Sequence, residues 1–378
     1  MPHWTNNPNI PSPCYVLEEA KLIDNLKLMA NVQAATGVDI ILALKGFSMW
    51  SCFNIVSEYL QGGTASALWE AKLAKRLGKQ VHAFSPAFKT AEVQAIVHEV
   101  DHISFNSLAQ YLLHKDTCEQ ANVSIGLRVN PEHQEADTPL YDPCAPGSRL
   151  GITAKQLLDQ DLSGIEGFHI HALCECDSYA TERMLNAIEQ QFSEYFPRLK
   201  WLNLGGGHLM TQAGYNVEHL IDVLNRFKAK YPHLHVILEP GSAVAWQTGP
   251  LIAEVVDIVE NNGPIAILDI SVTAHMPDVL EMPYRPMIKD AQQPNMLAYT
   301  YRLGGNSCLA GDMLPEYSFA EPITVGQRIV FEDMMHYTMV KTTFFNGVQH
   351  PSIGILRQNG EFDLIREFTY EDFLSRLS

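Results

Sequence analysis

A lysine stands directly after an apolar run in Leu42-Ala43-Leu44-Lys45-Gly46. Partly desolvated at a strand end, a lysine loses its proton more readily and can form a Schiff base with a carbonyl. On its own the same residue reads as a solvated loop lysine. Three other short stretches could do related chemistry. In His169-Ile170-His171-Ala172-Leu173-Cys174-Glu175-Cys176 the two-residue spacing puts both histidines on one face of a strand. Such a set could bind zinc, lie flat against an aromatic cofactor, or pack a core. Leu204-Gly205-Gly206-Gly207-His208 permits close backbone approach, and its N–H groups could form a nest for phosphate. Leu238-Glu239-Pro240-Gly241 offers a carboxylate that could keep a pyridine nitrogen protonated, or serve an ordinary ion pair.

All four stretches fall at the ends of candidate strands. Apolar, β-branched runs occur at Val38–Leu44, Thr64–Ser66, Gln80–Ser85, His102–Phe105, Val123–Asn130, Ile165–His171, Lys200–Leu204 and Leu234–Glu239. Helical periodicity lies between them, at Leu68–Leu77, Ala91–Val100, Leu108–Cys118, Glu182–Tyr195 and Val217–Lys230. Eight alternating units predict a (β/α)8 TIM-type barrel, with an open doubly wound sheet as the alternative. In such a barrel functional groups collect at the C-terminal strand ends, where these four stretches lie. Together they supply what a pyridoxal phosphate site requires: a lysine for the aldehyde, a phosphate cradle, an imidazole for the ring face and a carboxylate for the ring nitrogen.

After Gly249 the pattern changes to short β-rich runs, at Leu251–Val259, Ile265–Val272, Arg328–Phe331, Ser352–Leu356 and Phe362–Glu367. These predict a mostly antiparallel β-domain, and the early strand Ser12–Leu17, followed by a helix over Glu18–Ala30, could join it. The expected division is therefore 22–246 for the barrel and 1–21 plus 247–378 for the β-domain.

Composition narrows the class. Twenty-six basic against forty-three acidic residues give a net charge of −17, which argues against nucleic acid as the main partner and favours cationic small molecules. The chain starts without a basic segment followed by an apolar stretch, and no apolar run reaches the length of a membrane span. Seven cysteines without a repeating spacing point to reduced thiols rather than a disulfide framework. The expectation is a cytoplasmic enzyme without a membrane partner.

The sequence resembles the fold-type III pyridoxal-phosphate decarboxylases, which include ornithine, arginine and diaminopimelate decarboxylases. The resemblance runs from Cys14-Tyr15-Val16 to Phe345-Asn346-Gly347 and is carried by Ala43-Leu44-Lys45-Gly46, Thr64-Ala65-Ser66-Ala67-Leu68-Trp69-Glu70-Ala71, His275-Met276-Pro277-Asp278-Val279-Leu280-Glu281-Met282 and Ser307-Cys308-Leu309-Ala310-Gly311-Asp312. It implies an alanine racemase-like fold and pyridoxal 5'-phosphate as cofactor. Lys45 would hold that cofactor, His171 would stack on its ring, Gly205, Gly206 and Gly207 would bind its phosphate with Tyr337, and Glu239 would pair with its ring nitrogen. Arg128 would lie near the ring. Cys308 would be the proton donor, contributed across the interface of a homodimer with shared sites.

The implied reaction is decarboxylation of carboxynorspermidine or carboxyspermidine to norspermidine or spermidine, in polyamine biosynthesis. Asp312, with Asp278 and Glu281, would hold the substrate amines, and no metal is implied. The chain departs from the family pattern at three places. Ser242 stands where an arginine commonly follows Glu-Pro-Gly, Cys174 where a serine is usual, and Leu309 where the ornithine and diaminopimelate enzymes have an acidic residue. The last departure weakens those two substrate readings. A racemase and a non-catalytic relative are the remaining rivals; the first lacks support from the Cys308–Asp312 segment, the second from the retained Lys45 and Cys308.

Overall fold

The computed structural model describes residues 3–135 and 141–378. The chain divides into two units, Asp24–Val244 and Met1–Ile23 with Ala245–Ser378.

In the first unit eight parallel strands form a closed barrel: Asp39–Ala43, Gly62–Ala65, Gln80–Phe84, His102–Phe105, Ser124–Asn130, Gly167–His169, Trp201–Asn203 and His235–Leu238. We call them the first to eighth barrel strands. The ring closes because the fourth pairs with the fifth and the eighth returns to the first. This is the expected barrel, not the open sheet. The short strands are buried almost throughout, as for Ile40 to Ala43 and Val236 to Leu238, which is why they read as apolar runs rather than alternating ones. The helices lie close to their expected positions. Val217–Lys230 starts where Asn216 caps it by accepting from the His219 N–H at 3.0 Å. It buries Leu220, Val223, Leu224 and Phe227, with Val217 and Ile221 only half-buried.

The second unit is a mostly antiparallel sheet. Cys14–Glu18 runs antiparallel to Leu251–Glu260 and parallel to Ser352–Leu356, so the start of the chain is built into its end. The expected strand Ile265–Val272 ends earlier, at Leu268. Ser271 accepts from the Ala274 N–H at 3.1 Å and turns the chain into the helix Val272–His275. Three strands of the described residues here were not expected: Tyr299–Gly304 and Met313–Phe319, which pair antiparallel with each other, and the short Ala291–Gln292, which pairs with the second of them. The loop between Tyr299–Gly304 and Met313–Phe319 carries Cys308 and Asp312. Among the described residues no helix is long and apolar enough to cross a membrane.

Candidate active site

The first barrel strand ends at Ala43, and two residues later Lys45 enters the C-terminal mouth of the barrel. Its side chain keeps access to solvent, yet it stands among the strand ends. Burial first, and then the charge of Arg128, lower its pKa below that of a free lysine, while Glu239, Cys174 and Glu70 oppose the shift. Lys45 Nζ lies 3.4 Å from His171 Nε2. The other ring nitrogen, Nδ1, accepts the Gly206 N–H at 2.8 Å. An acceptor at Nδ1 puts the proton of the neutral ring on Nε2. Burial, with Lys45 and Arg128 nearby, holds His171 well below the ordinary histidine pKa and hence neutral. An Nε2–H facing an ammonium would set donor against donor, so this contact too favours an unprotonated Lys45.

Glu239 follows the eighth strand and is buried. Its Oε1 accepts from Asn203 Nδ2 at 2.6 Å, and its Oε2 lies 3.4 Å from His169 Nε2. Burial alone would raise its pKa, but His169, His82 and the Asn203 amide outweigh that and bring it down to about 2. His169 is itself driven toward the neutral form, chiefly by burial. The charge of the pair therefore rests on the carboxylate, and Glu239 is ionised throughout the neutral range.

The glycine turn fits closely between these groups. Gly205 and Gly207 have φ of +70° and +90°, and a Cβ on Gly206 would come within 2.6 Å of the Glu239 carbonyl oxygen and 3.2 Å of His171 Cε1. Only glycine satisfies all three positions. The three amides do not form the free nest expected from the sequence. Gly205 N–H donates to Asn203 Oδ1 at 2.8 Å and Gly206 N–H to His171, which leaves the N–H of Gly207. Ser242 Oγ donates to Glu175 Oε1 at 3.4 Å. Arg128 is buried with its guanidinium carbon 4.5 Å from the Phe84 ring centroid, and it donates to the His171 carbonyl at 3.0 Å. Burial pulls its pKa to about 10, so it stays charged at neutral pH.

The zinc alternative loses its ligands to these roles. His169 faces Glu239, His171 faces Lys45 and the glycine turn, and the Cys176 thiol lies 3.3 Å from the Cys174 carbonyl. Among the described residues no three His, Cys, Asp or Glu groups converge as metal ligands.

The other expected site residues belong to the sheet unit. Cys308 is exposed, at the loop after Tyr299–Gly304, and its N–H donates to Asn346 Oδ1 at 2.8 Å. Asp312 is buried. Its Oδ1 accepts the Thr273 N–H at 3.0 Å and its Oδ2 the Ser307 N–H at 3.1 Å. It thus braces the Cys308 loop. Glu281 is exposed and paired with Lys341. Asp278 is only 7% exposed. Its Oδ2 accepts from Tyr284 Oη at 2.9 Å and Thr338 Oγ1 at 2.8 Å, while Oδ1 is buried with no hydrogen bond. Tyr337 adjoins Thr338 and has a φ of +45°. Two residues that the sequence did not single out, Asn203 and Asn346, hold Glu239 and Cys308. Their only advance signal is position: one directly precedes Leu204 and the glycine run, the other sits in the Phe345-Asn346-Gly347 segment.

Comparison with known proteins agrees with this geometry. The family model described as pyridoxal-dependent decarboxylase, C-terminal sheet domain, matches residues 14–335. A carboxyaminopropylagmatine decarboxylase from Synechocystis is 50% identical over 98% of this chain and 96% of its own length. A carboxynorspermidine/carboxyspermidine decarboxylase from Campylobacter jejuni is 46% identical over 97% and 98%. The solved carboxynorspermidine decarboxylase of Campylobacter jejuni, complexed with norspermidine, superimposes with a TM-score of 0.90 at 44% identity, covering 97% of this chain and 100% of that one. Helicobacter pylori diaminopimelate decarboxylase, at 16% identity and a TM-score of 0.80, shares the fold.

Proposed function

Because the chain belongs to the pyridoxal-dependent decarboxylase family, we propose that it decarboxylates an amino acid carried on a polyamine-like tail, with pyridoxal 5'-phosphate as its cofactor. The observation that carries this reading is Lys45 in the barrel mouth, its pKa lowered, beside a neutral His171 and an ionised Glu239. The substrate class comes from the relatives. One is named for carboxyaminopropylagmatine and another for carboxynorspermidine and carboxyspermidine. These compounds share an amino-acid end and a cationic tail, which also suits a chain with a net charge of −17.

The residues fit the cofactor. Lys45 is the amine to carry it, Glu239 the carboxylate for a protonated ring nitrogen, and His171 a flat neutral face held in place by Gly206. The turn at Gly205 to Gly207 packs its backbone against Ile170, Glu239 and Leu173, and within the barrel unit the Gly207 N–H and Ser242 are the polar groups for a phosphate. When bound, the pyridoxal group supplies the electron sink that makes loss of carbon dioxide from an α-amino acid feasible. Glu239 keeps its negative charge during that loss, because its pKa lies far below neutrality. Arg128 donates to the His171 main-chain carbonyl and fixes the backbone there, while the Gly206 N–H on Nδ1 holds the ring. The Cys308 thiol is the proton donor to the carbon that has lost its carboxylate. We extend the proposal to a homodimer in which Cys308 of one copy serves the barrel of the other. Mixing inactive Lys45→Ala and Cys308→Ala proteins is then expected to restore about a quarter of wild-type activity, since random exchange gives half heterodimers with one competent site each. No restoration after verified subunit exchange refutes the shared site.

Asp278 is the carboxylate for a substrate ammonium or guanidinium, because its buried Oδ1 has no bond. A charge-assisted hydrogen bond is worth about 1.5–3 kcal/mol. Asp278→Asn is therefore expected to raise KM roughly 10- to 100-fold with kcat little changed. An unchanged KM removes Asp278 from the binding site. The function itself is tested by carbon dioxide release from carboxynorspermidine, carboxyspermidine, carboxyaminopropylagmatine, meso-diaminopimelate and ornithine, each with added pyridoxal phosphate. Turnover confined to the first three is expected; preference for either of the last two, or turnover of none, overturns the reading.

A further inference from the structure

We propose that Asn203 is a positioning residue of this site: its side-chain amide ties Glu239 to the glycine turn and obliges the facing Glu239 oxygen to act only as an acceptor. The inference rests on the reading of the barrel mouth given above. Asn203 closes the seventh barrel strand, Trp201–Asn203, and is 2% exposed. One end of its amide meets Glu239 Oε1 at 2.6 Å and the other receives the Gly205 N–H at 2.8 Å. The second bond fixes the amide orientation, since a backbone N–H requires the oxygen, and the NH2 must then face Glu239. The asparagine amide donates at one end and accepts at the other without taking up or losing a proton. Aspartate has the same shape but only accepts, so it would confront Glu239 with a second carboxylate at that distance. Leucine matches the volume and leaves both partners without a bond.

The glycine turn and the carboxylate therefore share one anchor. The main chains are already joined, Glu239 N–H donating to the Gly205 carbonyl at 2.8 Å; Asn203 adds the side-chain link that aims the carboxylate itself relative to the turn. Glu239 also feels His169 on the sixth strand, His82 on the third, Arg128 on the fifth, and Lys45 beyond the first. Burial keeps His169 and His82 neutral in the folded protein. Their titration in the unfolded chain is common to wild type and variants and drops out of the difference between them.

The test compares wild type, Asn203→Asp and Asn203→Leu by melting of the cofactor-free protein between pH 5 and pH 8, and by titration with pyridoxal phosphate. In Asn203→Asp two carboxylates in contact must share a proton, so the folded state binds more protons than the unfolded one. Its stability then falls as pH rises. The melting deficit of Asn203→Asp against wild type is expected to be small at pH 5 and to widen toward pH 8. The deficit of Asn203→Leu stays nearly flat, and that variant binds pyridoxal phosphate about tenfold more weakly as the turn loses its acceptor. A deficit of Asn203→Asp equal at both pH values overturns the proposal. So does wild-type affinity in Asn203→Leu, or an Asn203→Asp protein that folds at neither pH, because the singly protonated pair is expected to fold. None of these readouts uses a substrate, so they stand apart from a failure of the decarboxylase assay.

Discussion

Replacing Lys45 with alanine is expected to cut carbon dioxide release by about 10⁴-fold or more, above the upper end of what one positioned proton-transfer group contributes. The excess is expected because Lys45 is the residue proposed to carry the cofactor covalently as well. Borohydride treatment of the cofactor-loaded wild type should fix the cofactor mass on the peptide containing Lys45, and the variant should give no such peptide. The lowered pKa has a direction that can be checked without substrate. A larger fraction of Lys45 is the free amine at a given pH, so labelling of the cofactor-free protein by an amine reagent should plateau at lower pH at Lys45 than at surface lysines. There is also a consequence for stability. A lysine whose folded pKa lies below its unfolded value costs stability at neutral pH, because the folded chain resists the proton that the unfolded chain accepts. Lys45→Met should therefore melt higher than wild type in the cofactor-free form, and the gain should shrink as the pH is raised toward 10.5, the ordinary lysine value. A variant that is inactive yet more stable marks a residue kept for chemistry. Retained activity in Lys45→Ala would end the decarboxylase reading.

The barrel was legible because its strands are buried on both faces and short, so each appears as an apolar run closed by a chemical group. Lys45, His171, Gly205 and Glu239 could be read for the same reason: barrel strands end in the mouth, and strand ends are visible in sequence. The sheet unit was less legible. Tyr299–Gly304 and Met313–Phe319 alternate buried Tyr301, Leu303, Leu314 and Tyr317 with half-buried Arg302 and exposed Glu316, and Pro315 breaks the second pattern, so neither stands out. The roles of the acids there depend on bonds from distant residues. Asp312 is occupied by Thr273, 39 positions away, and Asp278 by Thr338, 60 positions away; no local spacing announces either. The glycine run shows the same limit within the barrel. Its type and place could be read, but the diversion of two of its amides to Asn203 and His171 is a tertiary fact.

Glu239→Gln is expected to lower kcat about 10²- to 10³-fold, the usual loss when one pre-set electrostatic partner is removed. The substitution keeps shape and an acceptor oxygen for Asn203, so what it removes is charge. Its effect should fall on kcat rather than KM, since Glu239 lies on the ring-nitrogen side of the proposed cofactor site and not among the proposed substrate carboxylates. The depressed pKa fixes the sign of the pH behaviour. Glu239 is ionised down to about 2, so the acid limb of the wild-type kcat profile is not set by this residue. The Gln variant should therefore run parallel to wild type between pH 6 and pH 9, lower by a constant factor. A group held below its ordinary value of 4.5 contributes stability that is fully present above that pH and is lost as pH falls toward about 2. The cofactor-free Gln variant should accordingly be less stable than wild type at pH 7, with the gap narrowing below 4.5. Wild-type kcat in this variant would detach Glu239 from the ring nitrogen. A gap in stability that does not narrow in acid would show that the folded protein holds Glu239 with an ordinary pKa.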